Sequence, residues 1–237
     1  MQQLGAADLA PQSVAGRPDA VAGGSSAGEL YDAHGRAVAG PVVARVKAVR
    51  AAEPAITGDV LESLPAGTRA DGLEYRMKSP QSLARKVADR HSANPWHSPA
   101  EHLAQMTDVV RYTMVSRTPR TVFSDAEKLA SSLQERGWTV TQADHSYTEG
   151  AMYKGVHFLA RHPSGETVEL QAHSEESMRV KALNHVDYEV LRDPKRPTEE
   201  RLAARRQMHE RSAALETPRG LGRKATLAGV PVMVKQR

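Results

Sequence analysis

Apolar residues recur at near-helical spacing through Val42, Val43, Val46, Val49 and Ala52, and the run then meets Glu53-Pro54, where proline disfavours further helix. A short helix is therefore expected, followed by one more helical piece in residues 56–64 that Pro65-Ala66-Gly67 terminates. Ahead of it lies a stretch of Ala, Gly, Pro and Ser in which no apolar period survives more than a few positions. Residues 1–40 accordingly read as disordered or linker, and 41–70 as an N-terminal helical segment. Residues 73–78 read as a short strand, after which Ser79-Pro80 supplies an N-cap and an N1 proline for a helix to about Arg90. Residues 91–99 form a polar, proline-broken loop, and 106–116, rich in Val, Thr and Tyr, a central strand. Ser124 and Glu127 compose a capping box ahead of Ala126, Leu129, Ala130 and Leu133, and Gly137 closes that helix.

Another strand starts at Trp138. Residues 153–161 and 167–173 then flank His162-Pro163-Ser164-Gly165-Glu166 as an antiparallel hairpin. In its second strand, period-two alternation sends Val168, Leu170 and Ala172 to one face and Glu169, Gln171 and His173 to the other, so one face is core and the other polar. A helix opens after Ser174 with Glu175 and Glu176 in its first turn, where the helix dipole favours acids. A basic helix over residues 198–215 and a short strand over 230–235 end the chain. The pattern is that of an α+β fold: a mixed β-sheet of about five strands with flanking helices in a core of residues 71–192, then a basic C-terminal helix and tail in 193–237.

Composition narrows the picture. At 237 residues with 4% aromatic residues, the chain has room for one substantial domain but not for a large aromatic core. No stretch approaches the roughly 20 apolar residues of a membrane span, and no partner membrane is expected. The absence of cysteine excludes disulfides, thiolate metal sites and cysteine nucleophiles. The net charge of +4 is uneven: residues 1–65 carry 5 Lys and Arg against 7 Asp and Glu, 66–191 carry 15 against 16, and 192–237 carry 12 against 5. The core thus lacks the charge of a general nucleic-acid-binding surface, and the tail is where an acidic or nucleic-acid partner would dock.

The densest chemical signal is Arg76, Lys78, Ser82, Arg85 and Lys86, cations that leave a strand and line the first turns of the helix it enters. Helix-start N–H groups, the positive dipole end and these side chains suit a polyphosphate, although a solvated basic helix face has the same pattern. Asp108 and Glu169 stand on predicted strands, where acids are poor formers. Acids on adjacent strands can hold Mg2+ against phosphate oxygens; taken singly, each also fits a surface position or an arginine partner. His91, His97 and His102 are spaced by six and five, which matches no structural zinc pattern. No glycine-rich Walker or dinucleotide fingerprint occurs, and Trp96 and Trp138 read as packing anchors.

Five segments, in order, carry a resemblance. Arg76-Met77-Lys78-Ser79-Pro80-Gln81-Ser82-Leu83-Ala84-Arg85-Lys86 resembles the R-x-K-x-x-x-S-x-x-x-K segment of the RelA/SpoT family of alarmone synthetases at full spacing. Asp108 is similar to the acid of the family's D-x-x-G/A-x-R strand and Tyr153-Lys154-Gly155-Val156-His157 to its Y-x-S-I-H segment. Glu169-Leu170-Gln171-Ala172-His173-Ser174 is similar to its E-x-Q-x-R-T strand, and His185-x-x-Tyr188 to its A-H-W-x-Y helix. The resemblance spans about residues 73–191. It implies a nucleotidyltransferase-like fold that moves the β,γ-pyrophosphate of ATP onto the 3′-hydroxyl of a purine nucleotide (GDP/GTP or ADP/ATP) or of a tRNA, releasing AMP. By the same resemblance Arg76, Lys78, Ser82, Lys86 and Arg111 bind ATP, Asp108 and Glu169 hold Mg2+, and Glu169 with Gln171 positions or deprotonates the acceptor hydroxyl. Tyr153, Lys154, His157 and His173 serve the acceptor. Arg111 and Thr113 stand where the family has a small residue and an arginine, and His173 replaces an arginine. These departures look more like toxin- or phage-associated members, with a cytoplasmic site of action for a delivered effector, than like housekeeping enzymes. A catalytically inactive module that binds nucleotide, nucleic acid or a protein is the alternative.

Overall fold

The computed structural model describes residues 27–222 and 224–235. Its first element is α1 (Ala27–Glu62), kinked at Gly35, whose φ of 68° only glycine adopts without strain. Two expectations change here. Residues 27–40 are helical rather than linker, because Leu30, Val38 and Ala39 bury a stripe that the surrounding Gly and Ala hide in the sequence; residues 1–26 lie outside the described residues. The helix also runs through Pro54. Interior proline costs ~3 kcal/mol, but Ile56 and Val60 continue the buried stripe of Val42, Val46 and Val49 at about 1.5–3 kcal/mol each, and Arg50, whose carbonyl loses its helical partner to Pro54, is exposed.

The other elements are β1 (Thr68–Asp71), α2 (Pro80–Ala93), α3 (Pro99–Ala104), β2 (Arg111–Ser116), α4 (Val122–Glu135), β3 (Thr139–His145), β4 (Val156–Arg161), β5 (Thr167–Ser174), α5 (Glu175–Arg192), α6 (Thr198–Ala213), β6 (Thr226–Leu227) and β7 (Val230–Val234). Seven strands, not five, form the mixed sheet, in the order β1-β2-β5-β4-β3-β7-β6. The additional edge strands are β1, which follows directly on the terminator Pro65-Ala66-Gly67, and the short β6 beside β7. Residues 73–78, expected as a strand, instead hold a 3-10 turn at Leu73–Tyr75 after left-handed Gly72 and a lone bridge from Met77 to Val110.

Helix ends follow local chemistry. Ser79 caps α2 by accepting from the Ser82 N–H at 3.2 Å, and Pro80 occupies its first position. The capping box expected at Ser124 and Glu127 does not form: α4 starts at Val122, and the Ser124 hydroxyl donates to the Thr121 carbonyl at 3.0 Å. Val122, Phe123, Ala126 and Leu129 already lie on the buried face, so packing starts the helix earlier than the cap signal does. Of the two tryptophans, Trp138 is a buried anchor while Trp96 is 93% exposed in the α2–α3 loop.

Strand register sorts the sheet into two faces. Tyr112, Met114, Leu170, Ala172, Phe158 and Ala143 meet across β2, β5, β4 and β3 and join one hydrophobic cluster with α1, α2 and α4. The opposite face carries Arg111, Thr113, Glu169, Gln171, His157 and Asp144. α5 crosses that face and α6 packs on α5, where Asn184 donates to the Met208 carbonyl and the Ser212 hydroxyl and Arg211 pairs with Asp187. The basic helix is therefore seated on the domain rather than trailing from it.

Candidate active site

Asp108 stands three residues ahead of β2, and two lysines close on it, Lys78 just ahead of α2 and Lys86 within that helix. Lys78 Nζ is 2.9 Å from Oδ2, and Lys86 Nζ donates to Oδ1 and Oδ2 at 2.9 and 2.8 Å. Burial alone would raise the pKa of this half-buried carboxyl, but the hydrogen bonds from Lys86 and Lys78 prevail and hold it at about 2. Glu169 sits opposite Arg111 in the β2–β5 register. Its Oε1 accepts from Gln171 Nε2 at 3.0 Å and lies 3.5 Å from His157 Nδ1. Burial again opposes ionisation and loses, here to His157, Gln171 and Arg111, so this carboxyl too is held at about 2. Both acids are carboxylates at neutral pH, and both line one cavity of about 470 Å³.

A chain of side chains stands behind Glu169. The Tyr153 hydroxyl bridges His157 Nε2 at 2.8 Å and His173 Nε2 at 2.7 Å, and His173 Nδ1 lies 3.1 Å from Ser177 Oγ. Ser177 Oγ donates to the Ser174 carbonyl, so it accepts from His173 Nδ1–H. His173 Nε2 then accepts from Tyr153, whose oxygen accepts from His157 Nε2–H; the protons are assigned by this chain of donors and acceptors. Full burial, with the nearby cations Lys181 and Arg111, pushes the His173 pKa well below its ordinary value, which agrees with a neutral ring. Gly155 makes the cluster possible. A Cβ there would come within 2.8 Å of His173 Cε1 and 3.0 Å of the Tyr153 hydroxyl.

Of the residues picked out in the sequence, Lys86, Asp108, Arg111, Tyr153, His157, Glu169 and Gln171 line the 470 Å³ cavity, and Lys78 joins through Asp108. A second cavity of about 630 Å³, beneath α5, shares Arg111, Tyr153 and Lys181 with the first and adds Lys154, whose pKa burial lowers. Arg76, Ser82 and His173 line neither cavity. Arg76 is buried in a network with the Glu53 carboxylate and the Leu73 carbonyl; Glu53 also accepts from Thr57, which shares a hydrogen bond with Tyr112 at 2.7 Å. Ser82 serves the first turn of α2 through its backbone. His173 is fully buried behind Tyr153, whose hydroxyl it engages.

The sequence reading misses Asp144, Lys181 and Lys235, which line the same cavity. Asp144 owes its place to a β-bulge. The register with β4 shifts between Val140 and Gln142, so that Val140 is buried in the core while Asp144 pairs with His157 on the polar face. Simple alternation would put both on one face.

The donor set fits a hard divalent cation. Among the described residues no three His, Asp or Glu side chains converge tightly enough to enclose an ion. Mg2+, however, characteristically takes one or two carboxylates and completes its shell with water and phosphate oxygens, and Asp108 and Glu169 supply two ionised ones. Buried Asp144 Oδ1 makes no hydrogen bond in the same cavity. His91, His97 and His102 cluster by their rings but belong to no such group.

No protein-family model matches the chain, and no curated protein does. Among solved structures it is similar to the type VI effector Tas1 in complex with its immunity protein, with 19% identity over 75% of this chain and 94% of that one and a TM-score of 0.43. It is also similar to the small alarmone synthetase 1 from Bacillus subtilis bound to its product pppGpp, with 18% identity, 62% and 72% coverage and a TM-score of 0.40. A GTP pyrophosphokinase family protein from Streptococcus pneumoniae gives 13% identity, 78% and 89% coverage and a TM-score of 0.40. The functional reading rests on the side chains of the cleft, not on these likenesses.

Proposed function

We propose that the chain is a Mg2+-dependent pyrophosphokinase that transfers the β,γ-pyrophosphate of ATP to the 3′-hydroxyl of a purine nucleotide or of an RNA 3′ end. The observation that carries this reading is the pair of ionised carboxylates, Asp108 and Glu169, in one cavity with Lys86 and Arg111, opening beside a second cavity across Arg111, Tyr153 and Lys181. Two adjoining cavities with cations at their boundary suit two nucleotides whose phosphates must meet.

In the reaction the acceptor 3′-oxygen bonds to the β-phosphorus while the bond from that phosphorus to the α,β-bridging oxygen breaks. AMP leaves with the bonding electrons, and the hydroxyl proton ends in solvent. Lys78 and Lys86 turn from Asp108 towards the phosphates as these enter, and Arg111 spans the boundary between donor and acceptor. Mg2+, when bound, would be held by Asp108 and Glu169 and would neutralise phosphate charge. A carboxylate with a pKa of about 2 is a weak base at neutral pH, so Glu169 and Gln171 orient the acceptor hydroxyl more than they deprotonate it. Tyr153, fixed by His157 and His173, offers its ring to an acceptor base, a stack worth about 1–3 kcal/mol. Among the described residues no helix is long and apolar enough to cross a membrane. Arg111, Thr113 and His173 lean the proposal towards a toxin-like enzyme acting where ATP is plentiful, in the cytoplasm.

The test is incubation with labelled ATP, Mg2+ and, in turn, GDP, GTP, ADP, ATP or deacylated tRNA. The expected result is AMP with one acceptor and a loss of about 100-fold or more in Asp108→Ala and Glu169→Ala. No AMP with any acceptor, or unchanged turnover in both variants, would end the proposal; nucleotide binding without turnover would identify an inactive module.

A further inference from the structure

The C-terminal strand ends in a side chain that the core motifs do not foresee. β7 runs parallel to β3, pairing Ala143 with Val232, Asp144 with Met233 and His145 with Val234. The Lys235 N–H continues this ladder, donating to the His145 carbonyl at 2.8 Å. Since Met233 lies opposite Asp144, period-two alternation sends Lys235 to the polar face as well. Its ammonium thereby lines the 470 Å³ cavity, because the sheet order sets the last long strand beside β3.

The contacts of the ammonium are long. Nζ stands 3.6 Å from Asp144 Oδ1, an ion pair beyond hydrogen-bond range, and 3.4 Å from His157 Nδ1, at the outer edge of that range. Asp144 Oδ1 makes no hydrogen bond, and Oδ2 is met by Gln142 Nε2 at 3.3 Å. Two loose contacts hold a three-donor cation beside the cleft without saturating it. The charged residues lining this cavity are five basic (Lys86, Arg90, Arg111, Lys181, Lys235) against three acidic (Asp108, Asp144, Glu169), a surplus that calls for an anion. Lys235 lines this cavity and not the one beneath α5, which puts it on the side of Lys86 and Asp108.

We propose that Lys235 is a phosphate ligand on the donor side of the cleft, moving from Asp144 onto the β- or γ-phosphate of the nucleoside triphosphate. The inference rests on the pyrophosphokinase reading of the cleft. A lysine suits the task as a compact charge on a flexible stem, able to follow a phosphate that is transferred.

The experiment compares full-length wild type with Lys235→Met and Lys235→Arg in two titration series with Mg2+ present, one with an ATP analogue carrying a methylene at the α,β-bridge and one with AMP. Thermal unfolding and AMP release from ATP are measured alongside. Lys235→Met is expected to weaken binding of the triphosphate analogue about tenfold, leave AMP binding and unfolding unchanged, and be largely rescued by Lys235→Arg. Wild-type affinity for the analogue in Lys235→Met, in a protein whose wild type still releases AMP, would overturn the role of Lys235 and leave the pyrophosphokinase reading standing. Equal weakening of both ligands, or a lowered unfolding temperature, would make Lys235 a structural partner of Asp144 and overturn it too. Failure of wild type to bind the analogue at all would remove both.

Discussion

The two faces of the sheet are built by the same strands and obey opposite rules. On one, Phe158, Leu170, Ala172 and Met114 are buried among apolar neighbours and owe their stability to contact area. On the other, one residue along in each strand, His157, Glu169, Gln171 and Arg111 are held by hydrogen bonds and charge, in a setting where burial penalises the ionised groups. The comparison separates stability from chemistry within single strands. Its strongest test is Leu170→Ala, which removes a fully buried side chain between Glu169 and Gln171 that lines neither cavity. We expect a loss of about 2–5 kcal/mol in unfolding free energy, read by denaturant titration, while nucleotide affinity per folded molecule stays near wild type. A comparable loss of affinity in the folded fraction would mean that the faces are not separable.

Gly155 tests the opposite face. Its backbone is pinned by Ser146, whose hydroxyl accepts from the Gly155 N–H at 3.1 Å while the Gly155 carbonyl accepts from the Ser146 N–H at 3.0 Å, so a new Cβ cannot draw back from the His173, Tyr153 and His157 cluster. Gly155→Ala is expected to cost about 1–3 kcal/mol of stability through this overpacking and, unlike Leu170→Ala, to weaken acceptor binding in the folded protein because Tyr153 is displaced. Unchanged acceptor affinity by calorimetry would detach Tyr153 from the acceptor site.

How much of this is legible in the sequence follows from the range of each interaction. The α2 cap at Ser79-Pro80, the β4–β5 hairpin and the alternation of β5 are local and can be read from neighbouring residues. Lys78, Lys86 and Asp108 are identified by motif, and the structure brings them together. Arg76 belongs to the same motif, yet its side chain is engaged by Glu53, an acid on a helix whose continuation past Pro54 depends on tertiary burial. Asp144 depends on a one-residue bulge and Lys235 on which strand neighbours β3, and neither fact is encoded within a local window. What a linear reading misses is what the sheet decides.

The smallest expected effect concerns Asp108, where charge and burial compete in one residue. Its folded-state pKa of about 2 lies below the ordinary 3.8, because hydrogen bonds from Lys86 and Lys78 outweigh the cost of burial. A depressed carboxyl binds its proton more readily in the unfolded chain, so its contribution to stability is fully present above pH 3.8 and is lost as pH falls towards 2. After allowing for solvent screening of this half-buried group, the contribution is on the order of 1 kcal/mol. Unfolding free energies of wild type and Asp108→Asn, measured between pH 5 and pH 2 (approximately the span of the two pKa values), should therefore converge as the pH falls. Glu169 titrates in the same window and is common to both proteins, so it cancels in the difference. Parallel curves would mean that the two lysines do not hold Asp108 in solution, and that the cation cluster is already turned towards the cleft before any phosphate arrives.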